Sequence, residues 1–245
     1  MQRVKRWIRG VGIIFFLVQY GLFAEGNKIS VFVSIQPQAF IVKKIAGESV
    51  EVNVLVPPGK NPHAYEPAPQ QMALLAQSSV LFTIGLPFEK VLAKKIKNTM
   101  PEVKIEDMTE GIAKRRMEED EEHDHEHEEH SHEERDPHVW LSPSSLKIMA
   151  ENAAKVLSAL KPEDALKFSA NLDGLKKELD VLDSEIAAQL SPVKGKIVLI
   201  YHPVLGYFTD AYGLKQKTIE IKGKSPSPKQ PVSYTHLTLP TIYSV

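Results

Sequence analysis

Cysteine is absent from all 245 residues, and that absence narrows the chemistry first. There can be no disulfide framework, no thiolate metal site and no lipid anchor carried on a cysteine. Any metal must be held by nitrogen and oxygen, which favours zinc-like ions where histidines cluster. An HExxH helix is also missing, so the usual local signature of a zinc peptidase is not there. Charge of one sign is not in excess either, with 30 Lys+Arg against 31 Asp+Glu. The N-terminal apolar run, Val11 to Ala24, is shorter than a bilayer span.

That run has the form of a secretory signal. Arg3, Lys5, Arg6 and Arg9 precede it, only Gln19 interrupts it, and Ala24 and Gly26 offer small residues for cleavage. Residues 1–26 are therefore set aside as a signal peptide that sends the protein to the periplasm. Removing the four basic residues leaves 26 against 31 acidic ones. A mildly acidic exported protein is a poor partner for nucleic acid. With 42% hydrophobic residues, the remainder can build a core for one large or two modest domains.

What is present in excess is histidine with carboxylate. Glu118 to Glu134 holds 11 carboxylates, one serine and the histidines His123, His125, His127, His130 and His132. With nothing apolar to bury and strong like-charge repulsion, the segment 118–135 reads as a disordered loop that binds extra metal weakly. A plain acidic linker is the alternative, though a linker has no use for histidines. Directly after it, Asp136-Pro137-His138-Val139-Trp140-Leu141-Ser142-Pro143 returns to a packed pattern, with one histidine in a fixed setting.

The chain before this loop alternates strand and helix. Ile29–Ile35, Val50–Val56 and Val80–Ile84 read as strands, and Pro37–Ala46, Gln70–Gln77 and Phe88–Ile96 as helices. Such alternation means a parallel sheet with helices on its faces, and ligands at the carboxyl ends of its strands. One loop at such an end, Pro57 to Pro67, carries His63 among prolines, a glycine and an asparagine. After the acidic loop, Ser142 and Pro143 open a helix to about Leu160, and Pro162 opens a longer one to about Leu190. Leu172, Leu175, Leu179, Leu182, Ile186 and Leu190 give the longer helix an apolar stripe. A helix of about 40 Å is expected to tie two lobes together, a dimerisation seam being the alternative. Lys196–Tyr201 reads as a strand ending at His202-Pro203, and Thr218–Ile221 as a further strand.

His63, His138 and His202 thus sit past strands or in proline-stiffened loops, a plausible three-histidine site. Three segments, PPGKNPHAYEP (57–67), DPHVWLSP (136–143) and HPVLGYFTDAYGL (202–214), resemble the successive metal-binding segments of the metal-specific solute-binding proteins of ABC importers. The likeness covers Lys28 to about Gln230. It implies an α/β fold of two lobes, each a parallel sheet flanked by helices, joined by one long rigid helix. It also implies that His63, His138 and His202 hold one zinc ion (Zn2+) as cargo in the cleft, for delivery to a membrane permease. Histidine at the third position and the His-rich loop resemble the zinc-binding members, whereas manganese-binding members tend to carry glutamate there. The resemblance implies a monomer that is not an enzyme. An exported zinc hydrolase, with Glu66, Asp136 or Asp210 as base, and a metal buffer or adhesion protein acting through the loop are the alternatives.

The family's further carboxylate ligand, nearer the C-terminus, has no counterpart here. Val232 to Thr241 (VSYTHLTLPT) resembles the translation of a sequencing-library adapter, so 231–245 is expected to be a non-native tail and His236 no ligand. The expected division is then 27–160 for the first lobe, 161–191 for the linking helix and 192–230 for the start of an incomplete second lobe.

Overall fold

The structure is a computed structural model that describes residues 28–116 and 135–219. Residues 1–27, with the expected signal segment, residues 117–134, with His123, His125, His127, His130 and His132, and the residues beyond Ile219 lie outside the described residues.

The first lobe is built on four parallel strands, β1 (Ile29–Val33), β2 (Val50–Val54), β3 (Val80–Thr83) and β4 (Lys104–Asp107), in the order β2-β1-β3-β4. Helices α1 (Gln36–Ala46), α2 (Pro69–Leu75) and α3 (Pro87–Thr99) make the crossovers. Side chains alternate across a strand, and here both sides are covered. Val31, Val33, Val80 and Phe82 pack with α1, α4 (Pro143–Leu160) and α5 (Ala165–Leu190). Phe32 and Leu81 pack the opposite way, with Met72 and Leu75 of α2 and Leu92 and Ile96 of α3. That double burial is why β1 and β3 read as unbroken apolar runs.

β4 was not visible as a strand in the sequence. Its residues, KIED, are polar because it is the sheet edge, with only Ile105 packed against the second cluster. Of the expected strand Thr218–Ile221, residues 220 and 221 lie outside the described residues; among the described ones, β6 spans Lys215–Thr218 and so begins earlier than expected. It pairs in parallel with β5 (Ile197–Ile200), register Ile197↔Lys215, and α6 (Gly206–Tyr212) connects them. β6 reads KQKT, whose lysines are exposed, so apolar pattern could not locate it. Gly213 ends α6 in the left-handed conformation at φ 69°, which a side chain would strain.

The long helix is there, but it starts after a short 3₁₀ turn at Pro162–Asp164 rather than at Pro162 itself. Its apolar stripe is buried only in part. Phe168, Leu175 and Leu179 are buried, whereas Leu182 is 43% exposed. The buried part packs on α1 and α4. Farther along, Asp183 accepts a hydrogen bond from the Tyr212 hydroxyl of α6 at 2.7 Å. Ser142 precedes Pro143 at the start of α4 as expected, but its hydroxyl meets Ser144 Oγ at 2.8 Å instead of capping the helix.

Candidate metal centre

Each of the three loop histidines is fixed by its own neighbours. His63 lies in a 3₁₀ turn, Pro62–Ala64, whose N–H at His63 is accepted by the Asn61 side chain at 2.9 Å. Two residues on, Tyr65 sets its ring edge-on against Phe88 of α3, with centroids 5.6 Å apart. His138 is buried just before the 3₁₀ turn Val139–Leu141. Asp136 Oδ1 accepts from both the His138 backbone N–H, at 2.9 Å, and ring Nδ1, at 2.8 Å. The edge of the His138 ring also meets Trp140, at 5.2 Å between centroids. His202 follows β5, in a turn closed by the Val204 N–H to its carbonyl at 2.8 Å.

The fold brings these three rings together from positions 63, 138 and 202. Their centroids form a near-equilateral triangle with sides of 5.4, 5.2 and 5.3 Å. One nitrogen from each lies within 4.8 Å of the others, and His63 Nε2 stands 3.3 Å from His202 Nε2. Two nitrogens bound to one ion at about 2.0–2.1 Å, at a tetrahedral angle, would be about 3.3 Å apart. The pair is therefore already at ligating separation. At His138, Nδ1 is taken up by Asp136, so Nε2 is the ring nitrogen left to face a metal.

Among the described residues this is the only such grouping, and no carboxylate joins it. Asp136 is committed to His138, and Asp210 to Arg115 at 2.8 Å, so neither is placed as a hydrolytic base. Behind His138 lies a second set of contacts that the sequence did not reveal. The Tyr207 hydroxyl of α6 accepts the Arg115 backbone N–H at 3.0 Å and donates to the Asp136 carbonyl at 2.9 Å. Burial raises the phenol's pKa, with the Arg115 N–H partly opposing, so the hydroxyl stays a donor.

A family model described as the zinc-uptake complex component A, periplasmic, ZnuA, matches residues 31–236. The chain belongs to this family of ABC-importer solute-binding proteins. A protein of Chlamydia muridarum described as metal-binding is 31% identical over 225 residues, covering 89% of this chain and 76% of its own. The manganese ABC transporter substrate-binding lipoprotein PsaA of Streptococcus mitis is 29% identical, over 78% of this chain and 62% of its own. Among solved structures, a ZnuA deletion mutant with zinc bound superposes with a TM-score of 0.74 at 34% identity, over 85% of this chain and 76% of that one. The two-lobe α/β fold expected from the sequence is thus the fold of the family, and the family's members are solute-binding proteins rather than enzymes.

Proposed function

We propose that the protein captures zinc outside the cytoplasm with His63, His138 and His202 and delivers it to an ABC permease. The observation that carries this reading is the converging nitrogen triangle, with His63 and His202 at the separation of two tetrahedral ligands. Relatives in this size of identity include proteins named for manganese, so family membership leaves the ion open. The donor set favours zinc: three neutral imidazoles suit a borderline ion, whereas manganese prefers oxygen ligands. On this reading residues 1–26 direct export to the periplasm, the first lobe supplies two ligands, and α5 links it to the lobe that supplies His202. The protein works as a monomer with the ion and the permease as its partners, and nucleic acid is none of them.

Competition titration of zinc against a chelator, on the native protein and on His63→Ala, His138→Ala and His202→Ala, tests the site. Each replacement is expected to weaken binding by well over tenfold, that is by more than about 1.4 kcal/mol. Two of three replacements leaving the affinity intact would mean that the ligands are misassigned. Tighter binding of manganese than zinc by the native protein would overturn the choice of ion.

A further inference from the structure

His138 is oriented by Asp136, and Asp136 is held from two directions, by Arg115 ahead of it in the chain and by Tyr207 of α6. The Asp136 backbone N–H donates to the Arg115 carbonyl at 3.0 Å, and its carbonyl accepts from the Tyr207 hydroxyl at 2.9 Å. The same hydroxyl accepts the Arg115 N–H at 3.0 Å. One phenol therefore pins both strands of backbone that flank residues 116–135. It is 7% exposed, so no water can easily stand in for it.

The guanidinium of Arg115 completes the arrangement. Its Nε pairs with Asp210 of α6 at 2.8 Å, and its Nη1 lies 3.9 Å from Asp136 Oδ2. The guanidinium fits against the start of α6 because residue 206 is glycine. A Cβ there would lie 1.4 Å from Arg115 Nη1 and 3.0 Å from Asp136 Oδ2. Asp210 is 60% exposed at its side chain, and an exposed ion pair contributes little. The buried hydroxyl, not the salt bridge, is the strong member.

We propose that Tyr207 is a positioning residue for metal capture: reaching from α6, its hydroxyl fixes Asp136, and through Asp136 the ring of His138. This inference rests on the three-histidine reading of the site. His202 enters the site from the loop just ahead of α6, so seating α6 sets His202 directly and His138 by way of Tyr207. The ion is held at full affinity only when both are set, and displacing α6 loosens two ligands at once rather than one.

The test compares Tyr207→Phe with Tyr212→Phe in the full chain. Tyr212 is on the same helix, but its hydroxyl donates to Asp183 of α5 and has no part in holding Asp136. Zinc affinity is read by chelator competition, zinc release by stopped flow, and ligand geometry by the visible spectrum with Co2+ in place of zinc. Tyr207→Phe is expected to weaken zinc by about fivefold to tenfold, less than loss of a ligand, through faster release. Its Co2+ bands should shift, while Tyr212→Phe stays within about twofold of native with an unchanged spectrum. Native affinity and spectrum in Tyr207→Phe, with His138→Ala crippled, would overturn the positioning role and leave the site reading intact. Native affinity in His138→Ala would instead sink the site reading beneath it. Equal weakening in both tyrosine variants would reduce the effect to general loosening of α6 and also overturn the proposal. If Tyr207→Phe does not fold, Tyr207→Met replaces it, since it too removes the hydroxyl that bonds to Arg115 and Asp136 while keeping an apolar side chain in the buried position. That variant should weaken zinc at least about threefold, and native affinity there would refute the arrangement.

Discussion

Replacing Glu89 separates two roles that a buried carboxylate can play. Glu89, in the first turn of α3, is 4% exposed and accepts from four donors. The N–H groups of Gly85 and Leu86 reach Oε2 at 2.7 and 2.8 Å, that of Ile84 reaches both oxygens at 3.2 Å, and the Ser34 hydroxyl takes Oε1. Burial nevertheless raises its pKa, with the Ser34 hydroxyl and the three N–H groups pulling the other way. Glutamine can hold its carbonyl oxygen at the Oε2 position and keep the N–H bonds. Its amide then faces Ser34, whose hydroxyl turns to the Phe82 carbonyl, 3.5 Å away. Glu89→Gln should therefore change stability by less than about 1 kcal/mol at neutral pH, whereas Glu89→Ala strands two buried donors, the N–H groups of Ile84 and Leu86, and costs about 2 kcal/mol or more. The pH dependence has a definite sign. With its folded-state pKa raised, native Glu89 binds a proton more readily than the unfolded chain. Its contribution is complete below the unfolded-state pKa and lost as pH rises through the folded-state value. Glutamine lacks this loss, so the glutamine protein should gain on the native one between the ordinary carboxylate range and neutral pH. Urea unfolding of all three proteins at those two pH values measures it. An alanine variant as stable as the glutamine one, or a glutamine variant that loses ground as pH rises, would refute the reasoning.

Phe168 is fully buried where α5 meets α1 and α4, so Phe168→Ala should cost about 3–5 kcal/mol in thermal or urea unfolding. Deleting residues 118–134 should remove weak zinc sites and leave the tight one, as read by calorimetric stoichiometry. An unchanged stoichiometry would make the segment a linker.

The sequence disclosed the elements whose burial dictates their composition. β1 and β3 are covered on both faces, so every position is apolar or small, and such runs are unmistakable. β4 and the start of β6 escaped for the converse reason. An edge strand with exposed lysines satisfies its backbone through a neighbour without needing an apolar pattern, and pattern is all that a sequence shows. The stripe of α5 was legible, but not its extent. Leu175 and Leu179 meet α1 and α4, whereas Leu182 occupies the same face and is exposed. Periodicity records which side of a helix is apolar, not how far along it a partner reaches.

The site divides in the same way. His63, His138 and His202 stood out because each interrupts a stiff, proline-marked loop beside a strand or a tryptophan. Asn61 was legible too, since an asparagine ahead of Pro-His is suited to accept the histidine N–H. Asp136 is two residues from His138, a spacing that lets one carboxylate bond to the backbone and ring of the same residue, and it could have been found. Tyr207 could not. It is 71 residues from Asp136 and 92 from Arg115, and its hydroxyl bonds only to their backbone atoms. Backbone N–H and carbonyl groups are the same in every residue, so no choice of side chain at 115 or 136 signals that a phenol is needed. A ligand can be recognised by its own chemistry. A residue that holds a ligand through main chain can be recognised only once the fold has brought the two together, which is why the third histidine was evident here and the tyrosine five residues beyond it was not.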